Sequence, residues 1–479
     1  MLAPMRVAWL ALPLVLASCA EDVPGTSMSG GVLLVAIDSL RADHLSCYGY
    51  DRETTPALDA LAAQGVRFEN AFTAAPAILQ SNVGLLSGCD PRIALRVLPP
   101  EVEGATLTYW SLPRAAPHLA QELLSQGFST AAFVDHPQLG PALGLARGFE
   151  EFQGRGREES SSGERIAPEA LAERFARWID ERAANERWFA YVHFGGLEGF
   201  GWDRVSQWEQ RFVPRANADG VLPVGDGDHV FHALPRSRWS GGTRTLGELE
   251  ASYDGGVARI DAAVAACVES LRKSGRLGDT TIVVCGTRGL SLGESGLIGD
   301  TGTLSDADLR VPFIVRPAAG RRFQAGLASD AVASLIDVAP TICSLSGLTV
   351  PAEMQGVSLV SALSDAAARP RELAFAGSAF FEGWCALGET FCYEESRPWR
   401  AQSELLVRTW YGGAVPAEPM LRQVLHLRDA DRSVGHARSA ALDDARVREA
   451  RQKFEAWSAQ VEARRAELHP NDWDLAREK

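Results

Sequence analysis

Lysine is almost missing from this chain of 479 residues: it supplies three of the 47 basic residues, and arginine supplies the rest. The chain also has no long basic run, and its net charge is −14. Proteins that bind nucleic acid neutralise phosphates with clustered lysine and arginine. The composition therefore argues against nucleic acid as a partner.

An apolar run long enough to cross a membrane is missing too. The run near the N-terminus, "MLAPMRVAWLALPLVLASC", has one early charge, Arg6, and is too short for a stable span. It ends in Leu-Ala-Ser-Cys at 16–19, the pattern of a bacterial lipoprotein signal. We predict a signal peptide over residues 1–18 and acyl chains on Cys19 that bind a lipid membrane. The alternative is an ordinary secretory signal that ends in a cysteine by chance.

The segment after this signal predicts where the protein is held. Residues 19–30 are small and polar, which is typical of a flexible tether. The sequence therefore predicts an exported protein that is lipid-anchored to the bacterial envelope. Ala20 does not suggest retention at the inner membrane, so the outer membrane is favoured.

No pair of cysteines has the spacing of zinc ligands. Cys285 and Cys343 lie in apolar runs and are predicted to be buried thiols. Cys385 and Cys392 flank the short segment "ALGETF", close enough to bridge across a loop. Because an exported protein can form disulfides, this pair is a candidate disulfide.

Uninterrupted apolar runs predict strands that are buried on both faces. The first, "GVLLVAIDSL" at 31–40, places Asp38 at the carboxyl end of such a strand, where ligands bind in open α/β sheets. Strand and helix patterns then alternate along the chain, which predicts an α/β fold, a three-layer α/β/α sandwich. We assign this domain to residues 31–370, with an insertion at 195–245 that is rich in glycine, proline and tryptophan.

The last hundred residues have a different pattern. Segments such as "SELLVRTWYG" and "RQVLHLRDAD" predict antiparallel strands, and residues 443–468 predict an amphipathic helix. Residues 371–479 are therefore assigned to a small C-terminal α+β subdomain with its own sheet and a terminal helix. The side chains expected to face its core are Val447, Phe454, Trp457 and Val461.

Five segments follow one another between residues 31 and 365: "VLLVAIDSLRADHLSCYGYDRETTPALDALAAQGVRFENAF", "FSTAAFVDHPQLGPALGLARGFEEF", "YDGGVARIDAAVAACVESLRKSGRLGDTTIVV", "LRVPFIVRP" and "LIDVAPTICSLSGLTVPAEMQGVSLVSAL". Together they resemble the sulfatase family of the alkaline phosphatase superfamily. The resemblance implies an alkaline phosphatase-like fold with a central mixed, mostly parallel sheet. It also implies metal-assisted ester cleavage, in which oxygen ligands hold a calcium-like cation. The sulfatase nucleophile is formylglycine, made from the first residue of a C/S-x-P-x-R motif.

The nucleophile position of this motif holds a residue that is unable to react. The family's Cys, Ser or Thr lies ten residues before the helix glycine Gly88, which makes it Ile78. The motif's proline is Gln80 and its arginine is Asn82. Ser81 supplies the only nearby hydroxyl.

The metal ligands are replaced as well. Asp38 matches the first ligand, but the second Asp of many members is Ser39. The D-H-G or D-N-G cluster has become Thr287 and Arg288, and a cation at the latter position repels a metal. Asp38 is then the only retained ligand.

Accessory residues of the family are missing too. Ser295 stands where the family often has histidine in "GEHG", and Glu198 lies in the segment where members carry D-P-H. None of the three lysines lies at a catalytic position. We therefore predict a degenerate pocket with no catalytic residues.

These replacements predict a sulfatase-like pseudoenzyme that binds or scaffolds, with an anionic glycan or an active sulfatase as partner and no cofactor. The alternative is an active hydrolase of sulfuric or phosphoric esters with an atypical, calcium-dependent site around Asp38, Ser81 and Arg288. Asp38 has two further roles open to it, capping a helix or pairing with Arg288. Arg288 either holds an anion or neutralises Asp38, and His193, inside a strand, is expected to be structural.

Overall fold

The structure is a computed structural model, and it describes residues 30–94, 96–98, 109–154, 166–197, 207–208, 210–215, 222, 224–225, 234–235, 244–294, 297–299, 303–377, 382–388, 391–397, 422–427, 438–439 and 445–468. The predicted signal peptide, Cys19 and nearly all of the tether lie outside these ranges. So does most of the predicted insertion at 195–245.

Eight strands form the central sheet. In chain order they are β1 (Gly31–Ile37), β2 (Val66–Phe72), β3 (Ser129–Val134), β4 (Glu151–Gln153), β5 (Trp188–Phe194), β6 (Thr280–Gly286), β7 (Phe313–Arg316) and β8 (Leu327–Ser334). Across the sheet the order is β8-β2-β7-β6-β1-β5-β3-β4. Only β7 runs antiparallel to its neighbours β6 and β2, and the other pairs are parallel. The mixed, mostly parallel sheet is confirmed.

Helices cover both faces of this sheet. They are α1 (Pro56–Gln64), α2 (Ile78–Ser87), α3 (Pro91–Ala94), α4 (Leu119–Ser125), α5 (Pro168–Asp180), α6 (Leu246–Lys273), α7 (Asp306–Leu309), α8 (Val338–Leu345) and α9 (Val360–Ser364). Side chains of β1 alternate between the two faces because successive residues of a strand point to opposite sides. Val32, Leu34 and Ala36 pack in a core with α2, α4 and α8. Leu33 and Val35 pack in a second core with α1, α5 and α6, which confirms the three layers.

A second, antiparallel sheet follows the first domain. Its strands are β9 (Ala374–Gly377), β10 (Glu382–Leu387), β11 (Phe391–Arg397), β12 (Arg422–Leu427) and β13 (Arg438–Ser439), in that order. The strand predicted from "RQVLHLRDAD" is therefore confirmed, whereas the one predicted from "SELLVRTWYG" lies outside the described residues.

The terminal helix α10 (Ala445–Leu468) packs on this sheet, as the amphipathic pattern predicts. Val447 and Val461 are fully buried, and the ring of Phe454 stacks on Trp384 with centroids 3.8 Å apart. Trp457 stacks on Phe375. These aromatic contacts join the helix to the second sheet.

Outside these two sheets the structure has three short two-stranded pairings: 96–98 with 109–111, 224–225 with 234–235, and 291–292 with 298–299. Cys285 and Cys343 are buried free thiols, as predicted. Among the residues that the structure describes, no helix combines the length and the apolar character needed to cross a bilayer.

Candidate functional site

Two neighbouring parallel strands bring together the positions that the resemblance assigns to metal ligands. Asp38 follows β1, and Thr287 and Arg288 follow β6. Ile37 is directly opposite Gly286 in the register, and the Thr287 amide donates to the carbonyl of Ile37 at 2.9 Å. The carboxyl ends of adjacent parallel strands meet at one edge of a sheet, so these side chains become neighbours.

Asp38 is the acceptor at the centre of this group. Its Oδ1 accepts from Thr287 Oγ1 at 2.8 Å and from Arg288 Nε at 3.1 Å. All three side chains are buried, with exposures of 0 to 1%. Pairing with Arg288, one of the roles left open by the sequence, is thus present. Within the described part of the chain, Asp38 Oδ2 has no hydrogen-bond partner.

The charges around Asp38 keep it ionised. Burial by itself raises the pKa of a carboxyl, because the charged form loses its hydration. Here the Arg288 guanidinium opposes burial, and His193, His136 and the Thr287 hydroxyl add to it, so that the pKa of Asp38 lies below its ordinary value of 3.8. Asp38 and Arg288 therefore form a buried ion pair.

Sequence reasoning missed His136 in this pocket. It comes two residues after β3, and its ring lies 6.5 Å from that of His193 on β5. Its Nδ1 accepts from the Gln138 amide at 3.2 Å. The available signal was positional, because "FVDH" ends a parallel strand as "AID" does. His193 pairs in register with Ala36 and points toward the α2 face of the sheet.

Helix α2 begins at Ile78, the residue in the nucleophile position. Ile78 packs in the same apolar core as Ala36 of β1, and its exposed fraction is 9%. The helix has no side-chain cap, because its N-cap residue is Ala77. An alkyl side chain thus occupies the place that the resemblance assigns to the family's nucleophile.

Ser81 and Asn82, in the first turn of α2, bond within the helix. Ser81 Oγ and Asn82 Nδ2 both donate to the carbonyl of Ile78, at 3.0 and 2.8 Å. Asn82 Oδ1 accepts from the hydroxyl of Tyr191 on β5, a contact that sequence reasoning also missed. The Ser81 hydroxyl proton is therefore engaged locally.

Ser39, in the second ligand position, has left-handed backbone with φ of +59°. Its carbonyl accepts from the Tyr253 hydroxyl at 2.7 Å, and that hydroxyl accepts from the Arg41 amide at 3.0 Å. The Ser39 side chain is buried, and its Oγ has no partner in the described ranges. Helix α6, which carries Tyr253, thus holds this turn.

Arg41 fixes the loop after β1. It donates to both oxygens of Asp43 at 2.9 and 2.7 Å, to Glu294, and to the carbonyl of Leu290 at 3.0 Å. Burial disfavours its charge, but the two carboxylates raise the pKa of Arg41 well above its ordinary value. These bonds join the loop after β1 to Leu290 and Glu294, which follow β6.

Several predicted site residues lie outside the described residues, namely Glu198, Ser295 and the side chain of Cys392. In the second sheet, the register pairs Cys385 with Glu394 and Cys392 with Leu387. The candidate disulfide between the two cysteines stays a prediction.

The side chains at this sheet edge do not fit the calcium-like cation that the fold family implies. Such an ion takes six to eight oxygen ligands, mostly carboxylates. Here one carboxylate faces a guanidinium, and its other neighbour is a neutral hydroxyl. Across the described ranges, no three His, Cys, Asp or Glu side chains are grouped so as to hold a metal.

The sulfatase family profile matches residues 31–348 of this chain. The extracellular sulfatase SULF-1 homolog of Drosophila melanogaster is 33% identical over 104 residues, which are 22% of this chain and 9% of that protein. The N-acetylglucosamine-6-O-sulfatase of Bacteroides thetaiotaomicron is 31% identical over 116 residues, which are 24% of this chain and 20% of that protein. The matches thus span at most a fifth of these two curated relatives.

The fold is similar to solved structures over much more of the chain. The structure of BT4656 in complex with its substrate, D-glucosamine-2-N,6-O-disulfate, superposes with a TM-score of 0.67 at 16% identity. The superposition covers 90% of this chain and 98% of that one. At this identity the likeness concerns the fold alone.

Proposed function

The chain belongs to the sulfatase family, and from that premise we propose that it is a pseudoenzyme that acts in binding or scaffolding at the bacterial envelope. One observation carries this proposal: Arg288 pairs with Asp38 at the edge of the sheet where the family binds its metal. A guanidinium there supplies the positive charge that balances Asp38, but it has no open coordination position for a substrate oxygen.

The nucleophile position supports the same conclusion. Ile78 has neither a lone pair nor a proton to transfer, and it is packed in the core. Covalent ester cleavage needs an activated hydroxyl, thiol or equivalent group within reach of the reacting atom. An unusual active site around Ser81 is less well supported, because the Ser81 hydroxyl donates to the carbonyl of Ile78.

The anchoring part of the proposal depends on the N-terminal sequence. Acylation of Cys19 would tether the folded domain to a lipid membrane through residues 19–30, with the outer membrane favoured. Tryptic mass spectrometry of the N-terminal peptide tests this, because a diacylglycerol-modified Cys19 is expected and an unmodified residue would contradict it. Cys19→Ala should release the protein from the membrane fraction.

The proposed partners are an anionic glycan or an active sulfatase, and no nucleic acid. The glycan is supported by the family, since the related BT4656 was solved with a sulfated glucosamine substrate. Binding such a sugar requires no nucleophile, so a scaffold that loses its chemistry can retain recognition.

The pseudoenzyme proposal is tested by measuring metal content and turnover on one preparation. The full chain is dialysed against calcium or manganese and then analysed for bound metal. It is assayed with aryl sulfates and phosphodiesters in parallel. We expect no stoichiometric metal and no hydrolysis above the uncatalysed rate. Stoichiometric metal together with turnover that Asp38→Ala abolishes would overturn the proposal.

A matched variant shows that the metal assay is able to detect binding. Thr287→Asp combined with Arg288→Asn restores the D-N pair of the family beside Asp38. This double variant is expected to bind calcium or manganese, whereas Thr287→Asp alone keeps the guanidinium and is expected to remain metal-free.

A further inference from the structure

The predicted tether enters the folded domain at the edge of the central sheet opposite the degenerate pocket. Gly30 directly precedes β1, and Asp38 directly follows it. The seven residues of β1 span about 23 Å, at about 3.3 Å per residue. The point of attachment and the pocket are therefore separated by the whole length of this strand.

Two segments flank the point where the tether enters. In the register, Gly31 lies opposite Trp188 of β5 and Thr280 of β6. The Trp188 amide also donates to the carbonyl of the residue before Gly31 at 3.1 Å. The segments that lead into β5 and β6, residues 180–187 and 269–279, thus lie on either side of the tether.

A third segment reaches the same edge because β7 runs antiparallel to β6. Its last residue, Arg316, donates to the carbonyls of Leu277 and Thr280 at 2.9 and 3.1 Å. The chain then turns along this edge before β8 begins. We call the surface formed by these three segments the basic edge: residues 180–187, 269–279 and 316–326.

The charge of the basic edge is opposite in sign to that of the whole chain. Its segments contain eight basic and five acidic residues, a net charge of +3, whereas the chain carries −14. The basic residues are Arg182, Arg187, Arg272, Lys273, Arg276, Arg316, Arg321 and Arg322. An anionic surface would therefore attract this edge and repel the rest of the protein.

The acidic residues of the basic edge neutralise only some of these cations. Glu269 pairs with Arg272 and Lys273, whose side chains are 65% and 73% exposed. Arg182 pairs with Glu186 at 3.4 Å. Exposed pairs of this kind contribute little free energy, so they can open toward another anion at low cost.

Four arginines of the basic edge pair with no carboxylate in the described part of the chain: Arg276, Arg316, Arg321 and Arg322. The guanidinium of Arg276 donates to the carbonyl of Arg182, a neutral group that leaves the charge unbalanced. The side chain of Arg322 is exposed, and the other three are half-buried. Because arginine stays protonated at neutral pH, this edge keeps cations that can bond phosphate.

The length of the tether places this edge near the membrane. A flexible chain of the 12 residues at 19–30 has a root-mean-square length of roughly 20 Å. Acyl chains on Cys19 would hold the basic edge within about this distance of the lipid headgroups. Such attachment raises the effective concentration of lipid at the edge, so contacts that are individually weak suffice.

We propose that the basic edge binds the anionic phospholipid headgroups of the membrane that holds Cys19, so that the degenerate pocket faces away from this membrane. The guanidinium groups donate to lipid phosphates in charge-assisted bonds. A partner of the pocket then approaches from the aqueous side. The inference rests on the proposed function for the acylation of Cys19.

Hydrogen exchange of the tethered protein tests this orientation. The chain from residue 19 onward carries an N-terminal hexahistidine tag, and a nickel-chelating lipid holds it on vesicles. One set of vesicles is made of phosphatidylcholine, and the other is an equal mixture of phosphatidylcholine and phosphatidylglycerol. We expect the amides at 274–279 and 318–326 to exchange at least about fivefold more slowly on the anionic vesicles, the gain that one basic residue provides near such a surface.

Two outcomes of this measurement would overturn the inference. One is equal exchange of the basic edge on both kinds of vesicle. The other is protection on the anionic vesicles of residues 112–118, which precede α4 at the opposite edge of the sheet, in place of the basic edge.

Two charge reversals locate the contact. Arg322→Glu alters the exposed arginine of the basic edge and should abolish the protection on the anionic vesicles. Arg114→Glu makes the same change of charge at an exposed residue of the opposite edge and should leave the protection unaltered. If both variants keep the protection, or both lose it, the contact does not lie at the basic edge.

This inference and the anchoring proposal fail in different ways. The tag replaces the acyl chains, so the exchange measurement does not depend on whether Cys19 is modified. An unmodified Cys19 together with a protected basic edge refutes the anchoring proposal. An acylated Cys19 together with an unprotected edge refutes the inference alone.

Discussion

Two buried arginines lie near the same edge of the central sheet and differ in what surrounds them. Arg41 reaches Asp43 and Glu294, whose side chains are 53% and 45% exposed. Arg288 reaches Asp38, and both side chains are buried, at 1% and 0% exposure. Arg41 therefore pairs with partly hydrated carboxylates, whereas Arg288 is the counter-ion of a fully buried carboxylate.

The two pairs differ in the hydration of their carboxylates. Arg41 fixes the loop after β1 through partly exposed carboxylates. Arg288 lies at a position that the resemblance assigns to a metal ligand, and its guanidinium balances the charge of buried Asp38. A buried charge that loses its partner is costly, whereas a partly exposed one can be rehydrated. The two arginines should therefore respond differently to substitution.

The largest effect is expected from Arg288→Met. It leaves the Asp38 carboxylate buried without the guanidinium that pairs with it, which should lower the free energy of unfolding by roughly 3–5 kcal/mol. Urea denaturation measures this loss. Adding Asp38→Asn removes the stranded charge and keeps the bond from Thr287, so the double variant should regain much of the stability. A single variant as stable as the unaltered chain would contradict the buried-pair account.

A smaller loss is expected from Arg41→Met. The carboxylates of Asp43 and Glu294 can be rehydrated, but the carbonyl of Leu290 loses its donor, so the cost should be about 1–3 kcal/mol. Arg41→Lys keeps the charge but not the forked geometry of the guanidinium. Its free energy of unfolding should lie between those of the unaltered chain and Arg41→Met. If Arg41→Met proves more destabilising than Arg288→Met in the same urea titration, burial of the partner carboxylate does not determine the cost.

The free energy of unfolding should depend on pH differently in the unaltered chain and in Arg288→Met. In the unaltered chain the pKa of Asp38 is lowered, so the pair stabilises the fold above the ordinary value of 3.8 and is lost only as the pH falls through the lower folded-state value. In Arg288→Met, burial without the guanidinium should raise the pKa of Asp38. The folded variant then binds a proton more readily than the unfolded chain.

It follows that the stability deficit of Arg288→Met should shrink as the pH falls from 7 toward 4.5, by about 1.4 kcal/mol for each unit by which the pKa is raised. Urea titrations of both proteins across this range measure it. A deficit that is constant with pH would show that Asp38 is not the group left unpaired.

The smallest effect is expected at an exposed pair of the same chemistry. Arg259 on α6 bonds both oxygens of Glu169 on α5 at 2.8 and 2.9 Å, with side chains 27% and 48% exposed. Arg259→Ala should cost at most about 1 kcal/mol, and less at high salt. A loss comparable to that of Arg288→Met would remove burial as the explanation of the difference.

The strands of the central sheet could be predicted because each is encoded by a local run of apolar residues. The apolar run of β1 is buried on both faces, and the residues that follow β1 and β6 meet because parallel strands end at one edge. The same reasoning places Asp38 beside Thr287 and Arg288. Gly289, which follows Arg288, has no room for a side chain, since a Cβ there would lie 1.8 Å from the carbonyl oxygen of Ala307.

The partners of buried polar groups could not be predicted in the same way. Tyr191 has the pattern of a core strand residue, and nothing near it in the sequence points to Asn82 on a helix far earlier in the chain. His136 lies within one of the segments that carry the resemblance, but nothing in that segment shows that its ring lies close to that of His193 on β5. The three segments of the basic edge become one surface only because of the order of the strands across the sheet.

A crystal structure of the protein grown with calcium chloride would show whether Arg288 holds the place of the metal. We expect the Arg288 guanidinium within hydrogen-bonding distance of Asp38 and no calcium between them. A calcium ion bound to Asp38, with the Arg288 side chain displaced from it, would show that the metal position is still usable.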